Sequence, residues 1–200
     1  MFSTRRCAQL GLVAAGVVLA SSLGVLLAFS PVNQPIVYGA PTGELAPAFR
    51  LRDLEGVSYD SAALRGKAVV VFFSSKECGT CDDYQSRVAE LARQYRGDAR
   101  VQFLAMNQDV STGDHQRLLE VRVFAKMLER PFPTLLDLGG ETARRFGAKP
   151  AQFAVLDADG ALRYLGGFDD SRDAKRVTRR YVADHLRDVL DEMPTAVAAR

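Results

Sequence analysis

The sequence predicts an α/β domain, a central mixed sheet flanked by helices, preceded by an N-terminal segment of different character. Three observations point there. The run Ala68-Val69-Val70-Val71-Phe72-Phe73 is apolar without a break, as a strand buried on both faces requires. A helix-period pattern, Val88, Leu91, Ala92 and Tyr95, separates it from a second apolar strand, Val101 to Met106. Two strands joined through one helix pair in parallel by a right-handed crossover. Finally, Gln152 to Leu156 and Ala161 to Leu165 flank Asp157-Ala158-Asp159-Gly160, a hairpin signature that adds antiparallel strands.

The elements follow in order. Glu44 opens the folded domain, which runs over 44–193 and leaves a flexible tail at 194–200. Ala48 to Arg52 alternates as a strand does, and Leu54-Glu55-Gly56-Val57 turns into a short second strand. Ser61 is the expected cap of a brief helix through Leu64. The apolar strand follows, then a helix from about Thr80 to Tyr95 and the strand at Val101. Gln108 to Asp114 is polar and reads as a loop. His115 to Glu129 carries Leu118, Leu119, Val121, Phe124 and Leu128 at mostly helical spacing and is stopped by Pro131 and Pro133. Thr134 to Leu136 is extended, Thr142 to Phe146 a helical turn or two. The last helix is expected from about Asp173 to Met193, with Val177, Tyr181, Val182, Leu186, Val189 and Leu190 as its apolar stripe.

Composition narrows the function. The chain has 200 residues, 48% hydrophobic and 25% charged, with a net charge of only +2. That is one ordinary domain plus something extra, without the basic footprint of a nucleic-acid binder. Arg179-Arg180 lies in a mixed segment and reads as a solvated face. Three cysteines are too few for a disulfide-stapled scaffold.

The extra part is the N-terminus. Arg5 and Arg6 precede a run from Leu10 to Phe29 made only of apolar residues, glycine and serine. About 20 such residues span a bilayer, whereas a signal-peptide core needs only about 7 to 15. Residues 1–30 are therefore expected to be a membrane anchor, the membrane being crossed through residues 10–29. With the arginines held inside, the domain lies outside the cytoplasm. Cleavage and secretion is the alternative, weakened by the absence of a clear small-x-small site before Pro31. Cys7 reads as a membrane-edge residue. Residues 31–43, with Pro31, Pro35, Gly39, Pro41 and Gly43, form a tether.

Chemistry concentrates at Cys78-Gly79-Thr80-Cys81, where the first cysteine sits at the junction of a strand and a helix. A thiolate is the attacking species in disulfide exchange, and the free N–H groups and partial positive charge of a helix N-terminus stabilise it. Cys78 is the candidate nucleophile, and Cys81, a turn later and more buried, the candidate resolving thiol. Gly79 and Thr80 set the turn between them. Glu77, Asp82 and Asp83 oppose a thiolate and Lys76 favours it. No metal is expected. A zinc site needs two further donors, and the only histidines, His115 and His185, lie in predicted helices.

Several segments in series resemble the redoxin branch of the thioredoxin-like family, which includes membrane-tethered thiol-disulfide oxidoreductases and peroxiredoxin-like proteins. They are Gly43 to Phe49, Arg65-Gly66-Lys67, the paired cysteines, Pro131-Phe132-Pro133, Lys149-Pro150, Phe153 to Gly160 and Gly166 to Asp170. The similarity covers roughly residues 43 to 190. It implies a thioredoxin-like fold and an enzyme that reduces or exchanges disulfides of protein clients, served by a separate thiol electron donor or acceptor. No cofactor is implied beyond the redox-active Cys78–Cys81 disulfide itself. It also implies that Pro150 faces the dithiol as a cis-proline and exposes the preceding backbone to an extended client. Lys149 would then bias that contact toward acidic partners. Thr80 and Glu77 depart from the proline and tryptophan of thioredoxins.

Two alternatives accompany this reading. A peroxiredoxin-like peroxidase has Thr or Ser three residues before its reactive cysteine and proline seven before. Ser75 meets the first requirement and Val71 fails the second. A thioredoxin-like copper chaperone, which is not an enzyme, would want three residues between the cysteines and a distal histidine near the site. Neither feature is present in the sequence.

Overall fold

The computed structural model describes residues 42–193, so the expected anchor, most of the tether and the tail lie outside the described residues. Among the described residues, no helix is long and apolar enough to cross a membrane. Strands β1 (Arg50–Arg52), β2 (Ser58–Asp60) and β3 (Ala68–Ser74) come first, then helix α1 (Gly79–Gln94), β4 (Val101–Asn107) and α2 (His115–Met127). They are followed by β5 (Thr134–Leu136), α3 (Glu141–Phe146), β6 (Phe153–Leu156), β7 (Leu162–Gly166) and α4 (Tyr181–Glu192).

The uninterrupted apolar run becomes the centre of the sheet, in which the strand order is β5-β4-β3-β6-β7. Every residue of β3 is buried. On one side β3 pairs in parallel with β4, and on the other antiparallel with β6, which pairs antiparallel with β7. Alternate side chains feed two cores. Val70 and Phe72 pack with Val88 and Leu91 of α1 and Val182 and Leu186 of α4, while Val69, Val71 and Phe73 pack with Leu104, Met106 and Phe146. Phe72 and its register partner Phe153 are both fully buried and stack with ring centroids 4.5 Å apart. Removing such a side chain from water stabilises the fold by about 1.5 to 3 kcal/mol.

The hairpin turn forms where expected. Asp157 accepts hydrogen bonds from the Asp159 and Ala161 amides (3.0 and 2.8 Å), and Gly160 takes φ 71°. A Cβ at Gly160 would lie 2.0 Å from Arg65 Nη1. The left-handed backbone favours glycine here, and a side chain would also have to displace the mobile end of Arg65.

The first two strands pair with each other as a separate two-stranded hairpin. Three expectations need correction. First, Asp60 rather than Ser61 caps the short 3-10 turn at Ser61–Leu64, because the Asp60 carboxylate accepts the Ala62 amide at 2.9 Å. Ser61 Oγ is already committed to the Phe49 amide, 3.0 Å away. Second, α4 starts at Tyr181. Asp173 caps only the 3-10 turn Ala174–Arg176, Val177 is extended, and Asp170 holds the Thr178 amide at 2.9 Å, so the chain leaves the helical path. Third, α2 lies at the periphery. Of its residues only Val121 is buried, in a small cluster with Leu54 and Val110, while Leu119, Val123 and Met127 are exposed.

Candidate active site

The polypeptide leaves the buried strand β3 at Ser74 and enters α1 at Gly79, with four residues to turn in, and the cysteine pair lies where that turn runs into the helix. Cys78 is the N-cap residue of α1. Its backbone is extended (φ −96°, ψ 95°), and its Sγ accepts a hydrogen bond from the Cys81 amide at 3.1 Å. A cap position ordinarily taken by a serine or aspartate oxygen is here filled by sulfur. An N–H of the first turn, shared with the Cys78 carbonyl at 2.8 Å, is therefore aimed at the Cys78 sulfur, where it favours a negative charge. Cys78 is half-buried and Cys81 fully buried, and both are free thiols.

The flanking turn is held by its own polar groups. Ser75 Oγ accepts the Glu77 amide (3.1 Å), and the Ser75 carbonyl accepts the Cys78 amide (3.3 Å). Ser75, the residue at the peroxidatic spacing, thus spends its hydroxyl on shaping the loop. Gly79 is helical, and a Cβ there would meet nothing within 4 Å. The turn itself does not need glycine, and the missing side chain leaves bare backbone beside Cys78. Thr80 follows in the first turn, half-buried.

Charges near the pair are largely compensated. Glu77 pairs with Arg117 of α2, Lys76 with Glu120 at 3.0 Å, and Arg117 also with Glu120 at 3.0 Å. Lys76, as the first cause, holds the Glu120 carboxyl below the ordinary carboxylate range. Asp83 pairs with Arg172 at 2.6 Å. Of the acids expected to oppose a thiolate, two are therefore matched by cations contributed from distant segments. Each such pair is partly exposed and individually weak, about 0 to 1 kcal/mol. The pairs made by Arg117 and Glu120 pin the cysteine loop to α2, and the Asp83–Arg172 pair ties α1 to the segment after β7.

Pro150 lies in the turn before β6, exposed together with Lys149. The next residue, Ala151, is buried in the same cluster as both cysteines, with a left-handed φ of 70°. Its amide donates to the Phe73 carbonyl at 2.9 Å, and the same backbone acts to lower the pKa of the Cys81 thiol. The structure thus brings the Lys149–Pro150 turn to the dithiol. Lys149 contributes its amide to Gln152 Oε1 at 2.8 Å rather than its charge to the cysteines. His115 starts α2, and His185 stacks on Tyr164 at 4.6 Å. No set of three His, Cys, Asp or Glu side chains suited to hold a metal occurs among the described residues.

Burial pushes the Cys81 thiol up to about 12, reinforced by its hydrogen bond to Cys78 and the charge there; backbone hydrogen bonds from Ser75 and Ala151 pull the other way. Cys81 therefore stays protonated at neutral pH, and its reactive fraction grows as pH rises. When Cys78 is tied up in a disulfide it carries no charge and two of those causes lapse. Closure by Cys81 onto a Cys78 mixed disulfide is accordingly expected to accelerate up to about tenfold per pH unit between about pH 6 and 9. Stopped-flow release of a coloured thiol from a preformed mixed disulfide measures it, and a flat profile would contradict the burial argument.

Sequence reasoning did not find three charged residues around the pair. Arg87 of α1 forms a buried ion pair with Asp169 and donates to the carbonyls of Ser171 (3.0 Å), Arg172 (3.0 Å) and Asp83 (3.1 Å). It ties the Gly166–Asp170 segment to the helix that carries the cysteines. The third is Arg130, behind Cys81. The one signal for the first two was the Gly166 to Asp170 motif, which marked Asp169 without its partner.

The chain is similar in sequence and fold to known proteins. Residues 42–165 match the AhpC/TSA family model. The chain is 29% identical over 121 residues to the thiol-disulfide oxidoreductase ResA of Bacillus thuringiensis subsp. konkukian (strain 97-27), an alignment spanning 60% of this chain and 66%, just under two thirds, of that protein. A putative protein disulfide isomerase from Bacteroides thetaiotaomicron superposes with a TM-score of 0.63 at 21% identity, over 78% of this chain and 93% of that one. That likeness is one of fold. A hypothetical protein from Sinorhizobium meliloti 1021 superposes with the same TM-score, 0.63, at 26% identity over 78% of this chain and 85% of its own. A parallel β3–α1–β4 unit continued by an antiparallel β6–β7 hairpin and a closing helix is the thioredoxin-like fold. With the family model covering more than half of the sequence, the chain belongs to the AhpC/TSA family of redoxins.

Proposed function

We propose that the chain is a membrane-tethered thiol-disulfide oxidoreductase that reduces or exchanges disulfides of protein clients outside the cytoplasm. The observation that carries this reading is the Cys78 sulfur capping α1, with the Cys81 amide 3.1 Å away and the Cys81 thiol fully buried behind it. One thiol is presented and the other is held in reserve, which is the division of labour that exchange needs. The Cys78 thiolate attacks one client sulfur. A Cys78–client bond forms, and the other client sulfur leaves as a thiolate that takes up a proton. Cys81, having lost its proton, then attacks Cys78 Sγ, closing the Cys78–Cys81 bond and releasing the second client sulfur. Two electrons and two protons pass to the client, and an external dithiol must return them. The name of the ResA relative supports the same activity. The apolar run at residues 10–29 supports the tether and the side of the membrane.

In intact cells, a membrane-impermeant thiol reagent is expected to label Cys78, and the purified full-length chain in detergent is expected to reduce insulin disulfides catalytically with an added dithiol. Consumption of hydrogen peroxide faster than of protein disulfide would replace this reading with the peroxidase one. A Cys78 reachable only after lysis would overturn the location.

A further inference from the structure

Helix α2 ends abruptly. Glu129 follows it with φ 44°, a left-handed conformation costly for a residue with a side chain. Among the described residues only one other non-glycine residue has positive φ, Ala151, which packs in the same buried cluster as Cys81. Strain of this kind persists where the surroundings demand it, and both instances deliver a group to the neighbourhood of Cys81.

What the Glu129 turn delivers is Arg130. Its guanidinium lies over the Phe72 ring at 5.5 Å, donates to Gln85 Oε1 at 2.9 Å and to Thr134 Oγ1 at 3.2 Å. All three partners are neutral. Gln85 stands one helical turn beyond Cys81 on α1, on the same face of the helix, and Phe72 packs in the same buried cluster as Cys81. Asp82 is the one standing carboxylate that acts on the guanidinium, without a hydrogen bond between them. A half-buried guanidinium with no directly bonded anion is costly, and a negative charge forming nearby during the working cycle would offset that cost.

We propose that Arg130 is a positioning residue for the resolving step, its guanidinium serving as the counter-charge of the Cys81 thiolate. The proposal rests on the exchange reading above. The charged or titratable groups facing the pair are few. They are Cys78 and Asp82 on α1, while β3 presents Phe72 and the turn before β6 presents the Ala151 backbone. Burial draws the guanidinium down to about 10, countered first by Cys81 and then by Asp82, so it remains charged at neutral pH. Once Cys78 is locked in a mixed disulfide it no longer repels a second thiolate, and Arg130 is the cation left to stabilise the charge that forms at Cys81. The thiol proton passes to solvent, the Cys81–Cys78 bond forms, and the client sulfur leaves.

The test uses the full-length chain in detergent, in a Cys7→Ser background, with an aryl disulfide whose released thiolate is coloured. The first burst reports attack by Cys78 and the second reports closure by Cys81. In Arg130→Met, the first step is expected to keep its rate, while the second slows about tenfold at neutral pH and its pH profile moves upward by about one unit. Arg130→Lys is expected to restore most of the second step. An unchanged second-step profile in Arg130→Met, equal slowing of both steps, or failure of Arg130→Lys to rescue would overturn the role. Absence of any mixed disulfide in the parent chain would overturn the exchange reading, and this role with it.

Discussion

Replacing Cys78 by serine is expected to lower disulfide exchange by about a thousandfold or more, and replacing Cys81 by serine to stop turnover after its first half. The two outcomes differ because the two sulfurs sit differently. Cys78 is half-buried and receives the Cys81 amide on its sulfur, so a serine there keeps the cap hydrogen bond but offers a far poorer nucleophile. Cys81 is fully buried and cannot meet a protein client directly, so its loss leaves attack by Cys78 intact and removes only escape. Non-reducing gels of Cys81→Ser incubated with an oxidised client should show a covalent adduct that an added thiol dissolves. Residual turnover in Cys78→Ser, or an adduct that forms through Cys81 in that variant, would reverse the assignment.

Asp169→Ala is expected to cost about 3 kcal/mol, a fall in Tm of roughly 6 to 12 °C. The Arg87 and Asp169 side chains are 15% and 2% exposed, so truncating the acid strands a buried cation rather than a solvated one. Arg87 retains three carbonyl acceptors, which places the loss at the lower end of the range for broken buried pairs. A double variant, Arg87→Leu with Asp169→Leu, is expected to recover part of the loss because no charge is then left unpaired. Thermal and urea unfolding measure both variants. A change within about 0.5 kcal/mol for Asp169→Ala would show that the pair is not structurally important. Since the pair anchors the segment after β7 to α1, the same variant should also loosen the helix that positions Cys78.

The cost of these two substitutions comes from different distances along the chain. The cysteines are three residues apart, and their roles follow from a local strand-to-helix turn. Arg87 and Asp169 are 82 residues apart, and only the packing of β7 and its following loop against α1 makes them partners.

That contrast sets what was legible in the sequence. Strand β3, helix α1, strand β4 and the β6–β7 hairpin were readable because period and turn chemistry act over a few residues: an unbroken apolar run, a 3.6-residue stripe, an Asp-x-Asp-Gly turn. The cysteine pair and its place at the head of α1 were readable for the same reason. Capping and helix starts were less so. Ser61 and Asp173 are competent caps, yet Ser61 is engaged by Phe49 and the Asp173 turn is cut short by Asp170 and Thr178. Apolar spacing also promised more burial for α2 than its place at the edge of the fold provides. Tertiary structure alone decided how the charges around the dithiol are matched. Glu77 meets Arg117, Asp83 meets Arg172, and Arg130 hydrogen-bonds only to neutral groups. Coulomb interactions depend on separation in space and on burial, and neither is written in the order of residues until the sheet brings distant segments together.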